Sequence, residues 1–215
     1  MLRTTLAMVA LLVAAISYTS ARAEYLTASV ELKDADGNVV ATAMLKETSD
    51  GVHLTVSATD VAPGSHGIHF HAVGLCEGPD FTTAGKHINL DGSEHGLDNP
   101  NGPHDGDLPA IEVEDDGAAE YEAKTDRITL SDGDMSVFDD DGSALIIHAD
   151  PDDQTTDPTG NSGDRVACGA LELMELPDTG AGGTAANGGL PLLPAAALGL
   201  LIVCSALIAR RRFER

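Results

Sequence analysis

Positive charge is what this chain has least of. Its 215 residues include 12 Lys and Arg against 35 Asp and Glu, a formal net charge of −23. The imbalance is steeper between residues 24 and 175, where six basic residues (Lys33, Lys46, Lys86, Lys124, Arg127 and Arg165) face thirty-three acidic ones, a net −27. A surface of that sign repels nucleic acid and anionic lipid, so both are excluded as partners of this region, while solubility in a salty or crowded exterior accounts for the charge. Cysteine is also scarce. Of three, Cys204 lies in an uncharged apolar run, which leaves Cys76 and Cys168. Helical periodicity is missing throughout residues 24–175, which argues against a helical domain.

Long apolar runs occur only at the ends. Residues 2–22 begin with Arg3, continue through an apolar core at 6–16 and close on Ala21-Arg22-Ala23, the charge, core and small-residue order of a secretory signal peptide (residues 1–23). Residues 190–209 carry no charge and precede Arg210, Arg211, Arg212 and Arg215, which predicts a hydrophobic anchor with a basic cytoplasmic tail (residues 190–215). Between domain and anchor, residues 176–189 hold Leu176-Pro177-Asp178-Thr179-Gly180 and a flexible Gly- and Ala-rich linker. Pentapeptide, apolar run and basic tail in this order resemble the LPxTG-type wall-sorting signal of Gram-positive surface proteins. That resemblance implies a sortase cutting between Thr179 and Gly180, a cell wall as final partner and a membrane as the partner before processing. A plain membrane anchor is the alternative. Either way, residues 24–175 are expected outside the cell.

Within that domain the pattern has period two. Leu26, Ala28, Val30 and Leu32 alternate with polar residues, as do Val52, Leu54 and Val56, which predicts half-buried strands. Asp36-Gly-Asn38, Asp50-Gly51, Asp116-Gly117, Asp132-Gly133 and Asp141-Gly142 supply the turn signals of antiparallel hairpins. The expected fold is an all-β antiparallel sandwich or barrel with two long loops, at residues 73–108 and 149–165. Loops of that length are uncommon unless they carry function or are held by other means.

Histidine is where the chain is rich. Six of its eight, His66, His69, His71, His87, His95 and His104, stand with Asp107 inside residues 66–107, and only His53 and His148 lie elsewhere. Imidazoles and carboxylates are the usual ligands of zinc and copper, so this density predicts a metal site. On an extended Gly67-Ile68-His69-Phe70-His71, the two histidines share a face about 7 Å apart and can grip one ion. His87, His95, His104 and Asp107 make a closed tetrahedral set of the kind that holds structural zinc. His148 ends the apolar run at 144–147 and could join the first pair. His53, on a strand between core positions, reads as exposed, and Lys86 reads as solvated. An exported domain with two cysteines most often joins them; a Cys76–Cys168 bridge would close a long loop and contribute about 4 kcal/mol in the chain-entropy model. Two free thiols are the alternative.

In order along the chain, His66-Gly-Ile-His-Phe-His71, Ala84-Gly-Lys-His87, His95-Gly96, His104-Asp-Gly-Asp-Leu108, Ile147-His148 and Thr159-Gly-Asn-Ser-Gly-Asp-Arg-Val-Ala-Cys-Gly169 resemble the motifs of the copper/zinc superoxide dismutase family. The resemblance implies an eight-stranded Greek-key β-barrel of immunoglobulin-like sandwich type. It implies copper on His69, His71, His87 and His148, and zinc on His87, His95, His104 and Asp107, with His87 serving both. His66 would bond backbone and not metal, and Asp152 would link ligands of the two metals. Arg165 would bind the superoxide anion, and His87 would take and return a proton as superoxide becomes dioxygen and hydrogen peroxide. A non-catalytic copper/zinc-binding surface protein, or a wall spacer, is the alternative. The family's second long loop often carries lysines that guide the substrate; Asp150-Pro-Asp-Asp-Gln-Thr-Thr-Asp-Pro158 has none, which predicts a slower enzyme whose rate rises or barely falls with salt. Monomer and homodimer both remain open.

Overall fold

The computed structural model describes residues 25–174. The secretory segment and everything from residue 175 onward, including the sorting pentapeptide and the apolar run, lie outside the described residues. Among the described residues no helix is long and apolar enough to cross a membrane.

Ten strands follow one another: β1 (Thr27–Lys33), β2 (Val39–Thr48), β3 (Gly51–Ala58), β4 (Gly64–His66), β5 (Ile68–His71), β6 (Ile111–Val113), β7 (Ala119–Thr125), β8 (Ala144–His148), β9 (Arg165–Ala170) and β10 (Glu172–Leu173). Eight of them form one curled antiparallel sheet in the order β5-β8-β9-β1-β2-β3-β7, with β10 on β1, and β4 pairs β6 in a second, two-stranded sheet. Non-consecutive neighbours at β5-β8 and β3-β7 show the crossovers that the all-β barrel expectation requires. The strands β4, β6 and β10 are only two or three residues long, and Cys168 lies on β9.

Alternation builds the core. Ala28, Val30 and Leu32 of β1, Ala43 and Leu45 of β2, and Val52, Leu54 and Val56 of β3 all point inward and are buried, while Glu31, Thr42 and His53 between them are exposed. Each fully buried aliphatic side chain contributes about 1.5–3 kcal/mol of transfer free energy. At the first hairpin, Asp34 Oδ1 accepts from the backbone N–H groups of Asp36 and Asn38 at 2.9 Å each, the side-chain turn expected of Asp-x-Asp-Gly-Asn.

Strands β5 and β8 depart from this rule because both of their faces are covered. Every residue of each is buried. Ile68, Phe70, Leu145 and Ile147 face the main core, while Ala144 and Ile146 face a second cluster with Phe81, Ala84 and Cys168 beneath the first long loop. That loop, residues 72–110, contains a single short 3-10 turn at Thr82–Ala84, and the second, residues 149–164, contains no regular element. A disulfide joins Cys76 of the first loop to Cys168 of β9 across 92 residues, with Cα atoms 5.6 Å apart. It ties the loop to the barrel wall.

Candidate metal centre

The strand register sets half of the site. His69 pairs with Ile146 and His71 with Ala144, so both imidazoles leave β5 on the face that the loops cover. His148 follows Ile146 by two residues on β8 and so leaves on the same loop-covered face, bringing its Nε2 to 3.4 Å from His71 Nε2. The loop brings the rest. An isolated bridge pairs His71 with His87, and another pairs His69 with Asp107.

Hydrogen bonds then divide the ring nitrogens into those held by protein and those left over. His69 Nε2 lies 2.6 Å from Asp152 Oδ2, His71 Nδ1 lies 3.1 Å from the Gly85 carbonyl and His148 Nδ1 lies 3.3 Å from the Gly163 carbonyl. The remaining atoms are His69 Nδ1 and the Nε2 atoms of His71, His87 and His148. His69 Nδ1 and His87 Nε2 are buried with no hydrogen-bond partner, which is costly unless something else binds there. All four residues offer nitrogens within 4.8 Å of one another.

A second group surrounds Asp107. Its Oδ1 lies 3.1 Å from His87 Nδ1, 2.9 Å from His95 Nδ1 and 3.5 Å from His104 Nδ1. Its Oδ2 accepts the backbone N–H groups of Gly96 at 2.8 Å and His104 at 2.9 Å. Four donors at zinc-ligand distance in a tetrahedron would stand about 3.3 Å from one another, the spacing that these three contacts bracket. His69, and not His104, completes the set whose ligand atoms lie within 4.8 Å of one another with His87, His95 and Asp107, but Asp152 holds its Nε2 and its Nδ1 belongs to the first group, whereas His104 meets the set through Asp107. His104 Nδ1, buried and without a hydrogen bond, is the donor left over here.

Asp152 connects the two groups. Its buried carboxylate reaches His69 Nε2 with one oxygen and, at 3.0 Å with the other, His95 Nε2. Gly160 makes room for this contact: with φ at +62°, a Cβ there would fall 1.9 Å from Asp152 Oδ1 and 2.6 Å from His95 Nε2. Gly96 is confined in the same way, since a Cβ would fall 2.0 Å from the Gln154 carbonyl of the second loop. His66 stands apart from both groups. Its two ring nitrogens lie 2.8 Å from the His148 carbonyl and 2.7 Å from the Ala62 carbonyl, so it ties the end of β8 to the chain before β4.

Electrostatics separates the two groups as sharply as geometry does. Burial pushes His71 well below the ordinary histidine value, with His87 adding to the effect, and burial followed by His69 pushes His148 down to about 3. His87 falls to about 4 through burial, only partly opposed by its hydrogen bond to Asp107, and burial lowers His69 against the pull of Asp152. Burial acts on His95 as well, but hydrogen bonds to Asp107 and Asp152 outweigh it and raise the group to about 9. Both carboxylates are held below their usual range, because bonds from His87 and His95 to Asp107, and from His69 and His95 to Asp152, outweigh burial.

The first group opens on a cavity of about 460 Å³ whose lining includes His71, His87, His148, Arg165 and Lys86. Arg165 begins β9 opposite His148, and its two Nη atoms donate to the carbonyls of Phe81 and Gly85. The Gly85 carbonyl thus serves both His71 and Arg165. Sequence reasoning places Arg165 by motif and gives no role to two further residues. Lys86, read as solvated, is exposed and yet lines this cavity, and Arg127 donates from its Nη2 to the Asp107 carbonyl. Lys86 stands inside the motif Ala84-Gly-Lys-His87 without a role of its own there and Arg127 stands in none; both acquire their neighbours through the path of the first loop.

Residues 35–171 match the family of copper/zinc superoxide dismutases (SODC). Superoxide dismutase [Cu-Zn] 2 of Aquifex aeolicus is 40% identical over 148 residues, spanning 68% of this chain and 86% of the relative. Superoxide dismutase-like protein YojM of Bacillus subtilis is 42% identical over 145 residues, 66% of this chain and 74% of the relative. The crystal structure of a SOD-like protein from Bacillus subtilis superposes with a TM-score of 0.65 at 41% identity, covering 67% of this chain and 97% of the other. With the fold, the histidine clusters and the matched length in agreement, the chain belongs to the copper/zinc superoxide dismutase family.

Proposed function

We propose that the domain is a superoxide dismutase that holds copper on His69, His71, His87 and His148 and zinc on His87, His95, His104 and Asp107. The observation that carries this reading is the division of ring nitrogens. After the protein's own hydrogen bonds are assigned, one nitrogen of each of four histidines faces one point and three Nδ1 atoms face Asp107 Oδ1, and His87 alone offers a nitrogen to each. Curated copper-zinc dismutases at 36–40% identity support the same activity.

Bound copper would supply two reachable oxidation states for passing an electron out of one superoxide and into the next, while zinc would hold geometry. The chain's residues do the rest. Arg165, fixed by the Phe81 and Gly85 carbonyls, presents a guanidinium to the anion in the cavity by charge-assisted hydrogen bonding. His87 lines the same cavity, and its Nε2, free of protein hydrogen bonds, is the atom that can hold a proton and return it to the reduced substrate, while Asp107 keeps its Nδ1 in place. Two superoxide anions and two protons give one dioxygen and one hydrogen peroxide. The residues that would hold the metals are all buried beneath the barrel and the loops.

Full-length protein loaded with both metals tests this directly. One copper and one zinc per chain with rapid superoxide decay, abolished by His148→Ala and weakened by Arg165→Ala, is the expected result. Metal uptake without decay would overturn it in favour of a metal-binding surface protein. The location we propose is the outer cell surface, supported by the secretory and sorting segments read from the sequence. Thr179 covalently joined to wall fragments would establish sortase processing, whereas an intact tail recovered with membranes would leave only an anchor.

A further inference from the structure

The six cations of this acidic domain are almost all engaged. Lys33 lies 3.8 Å from Glu31, Lys46 sits 4.4 Å above the Tyr25 ring and Lys124 lies 2.6 Å from Asp50. Arg127 is bound to the Asp107 carbonyl, and Arg165 to those of Phe81 and Gly85. Among the described residues Lys86 has neither a hydrogen bond nor an ion pair for its ammonium. Its backbone is nevertheless fixed, because its carbonyl accepts the Ala72 N–H at 2.9 Å and the next residue, His87, is bridged to His71. From that anchored point an exposed side chain rises at the rim of the cavity that Arg165, His71 and His148 line. It also borders a neighbouring cleft containing Asp139, without pairing to it. Of charged residues the second loop contributes one acid, Asp157, to the cavity lining and no base.

We propose that Lys86 is the anion-capturing residue at the mouth of this site, supplying from the first loop the local positive charge that the lysine-free second loop does not. The inference rests on the dismutase reading and extends it to a residue to which that reading gives no role. A net −27 domain repels superoxide over the Debye length, about 30 Å at 0.01 M salt, whereas Lys86 acts over the last several ångströms. Salt therefore screens the repulsion before it screens the rim, and the wild-type rate varies little with ionic strength. Without Lys86 only Arg165 opposes the repulsion at this cavity, and the rate rises with salt.

Metal-loaded full-length protein and its Lys86→Gln, Lys86→Glu and Lys86→Arg variants test the assignment by two readouts at about 0.01 M and about 0.3 M salt. One is the second-order rate of superoxide decay. The other is the affinity for azide, a small monovalent anion, followed by absorption of the copper-loaded protein. Lys86→Gln is expected to lower both about twofold to threefold at low salt, Lys86→Glu about fivefold, and Lys86→Arg hardly at all, with the differences closing at high salt. Lys86→Gln and Lys86→Glu matching the wild type in both readouts at low salt would overturn the proposal. Equal losses in Lys86→Gln and Lys86→Arg, or loss of metal in both, would also overturn it and assign Lys86 to holding the loop. If wild-type protein binds azide but leaves superoxide untouched, the dismutase reading fails and the azide series still decides the role of Lys86.

Discussion

The two halves of the metal centre are built by different means. Three of the four histidines of the first group stand on strands, and their spacing follows from the pairing of β5 with β8. Around Asp107, by contrast, every member of the group lies on the irregular stretch between β5 and β6. The strand-borne half is neutral because burial suppresses its charge, and the loop-borne half is ionic because two buried carboxylates face His95. A sheet can hold neutral ligands ready before any ion arrives. A loop must be held by its own contacts, here the Cys76–Cys168 disulfide, the Asp152 bridge and the charges themselves. The strand half should therefore survive damage to the loop half better than the reverse.

Asp107→Ala should show the largest separation. It removes the oxygen on which three imidazoles converge and both backbone contacts to Gly96 and His104. Zinc affinity is expected to fall more than about 100-fold, beyond the range for lost supporting contacts, while copper affinity falls less than about tenfold. Competition against a chromophoric chelator measures both. Equal losses of the two metals would end the distinction between the halves.

Asp152→Ala tests the link between them. Its carboxylate holds one nitrogen of His69 and one of His95, so affinity should drop about 10–100-fold for zinc and measurably for copper. An effect confined to one metal would show that the bridge is not shared.

The ionic contrast predicts different pH dependences. Metal binding needs deprotonated imidazole, and in the metal-free protein His95 holds its proton up to about 9, whereas His87 and His148 shed theirs above about 4 and about 3. Zinc uptake at pH 7 should release a proton from His95, and apparent zinc affinity should rise about tenfold from pH 7 to pH 8, with copper affinity nearly flat. The same shifts set the stability of the metal-free protein. The raised His95 stabilises the fold fully below its unfolded value near 6.5, and that contribution is lost as pH climbs through about 9. The lowered His87 and His148 do the opposite: the fold is favoured above about 6.5 and weakened as pH falls toward about 4 and about 3. Calorimetric titration and melting curves against pH would show both limbs, and flat zinc affinity between pH 7 and 8 would refute the charged state of His95.

What could be read from the chain follows the same division. Alternation in β1 and β3 exposed the sheet, because one covered face leaves a period-two trace, and the density of histidine between residues 66 and 107 exposed the ligands. Strands β4, β6 and β10 are two or three residues long and leave no trace of that kind. Asp152 is one of several acids between residues 150 and 158 and was singled out only by its place in a family motif; its burial depends on Gly160, which comes eight residues later. Lys86, though inside the motif at residues 84–87, and Arg127 take their surroundings from how the loop returns across β5, a tertiary outcome.

Arg127 offers the finest test of the comparison because it touches the loop half alone. Its guanidinium reaches from the end of β7 to the Asp107 carbonyl, and its buried Nε has no partner of its own. A charge-assisted bond to the backbone of a ligand positions that ligand without contributing to the metal's coordination. Arg127→Leu should therefore weaken zinc binding about threefold to tenfold, less than the loss of Asp152, and leave copper binding and the register of β5 on β8 unchanged. Arg127→Lys should recover part of the loss, since an ammonium can still donate to the carbonyl but lacks the reach and planarity of the guanidinium. Chelator competition resolves a change of that size for each metal separately. If Arg127→Leu weakened copper as much as zinc, the sheet would not be holding its half independently, and the strand-borne ligands would owe their arrangement to the loop after all.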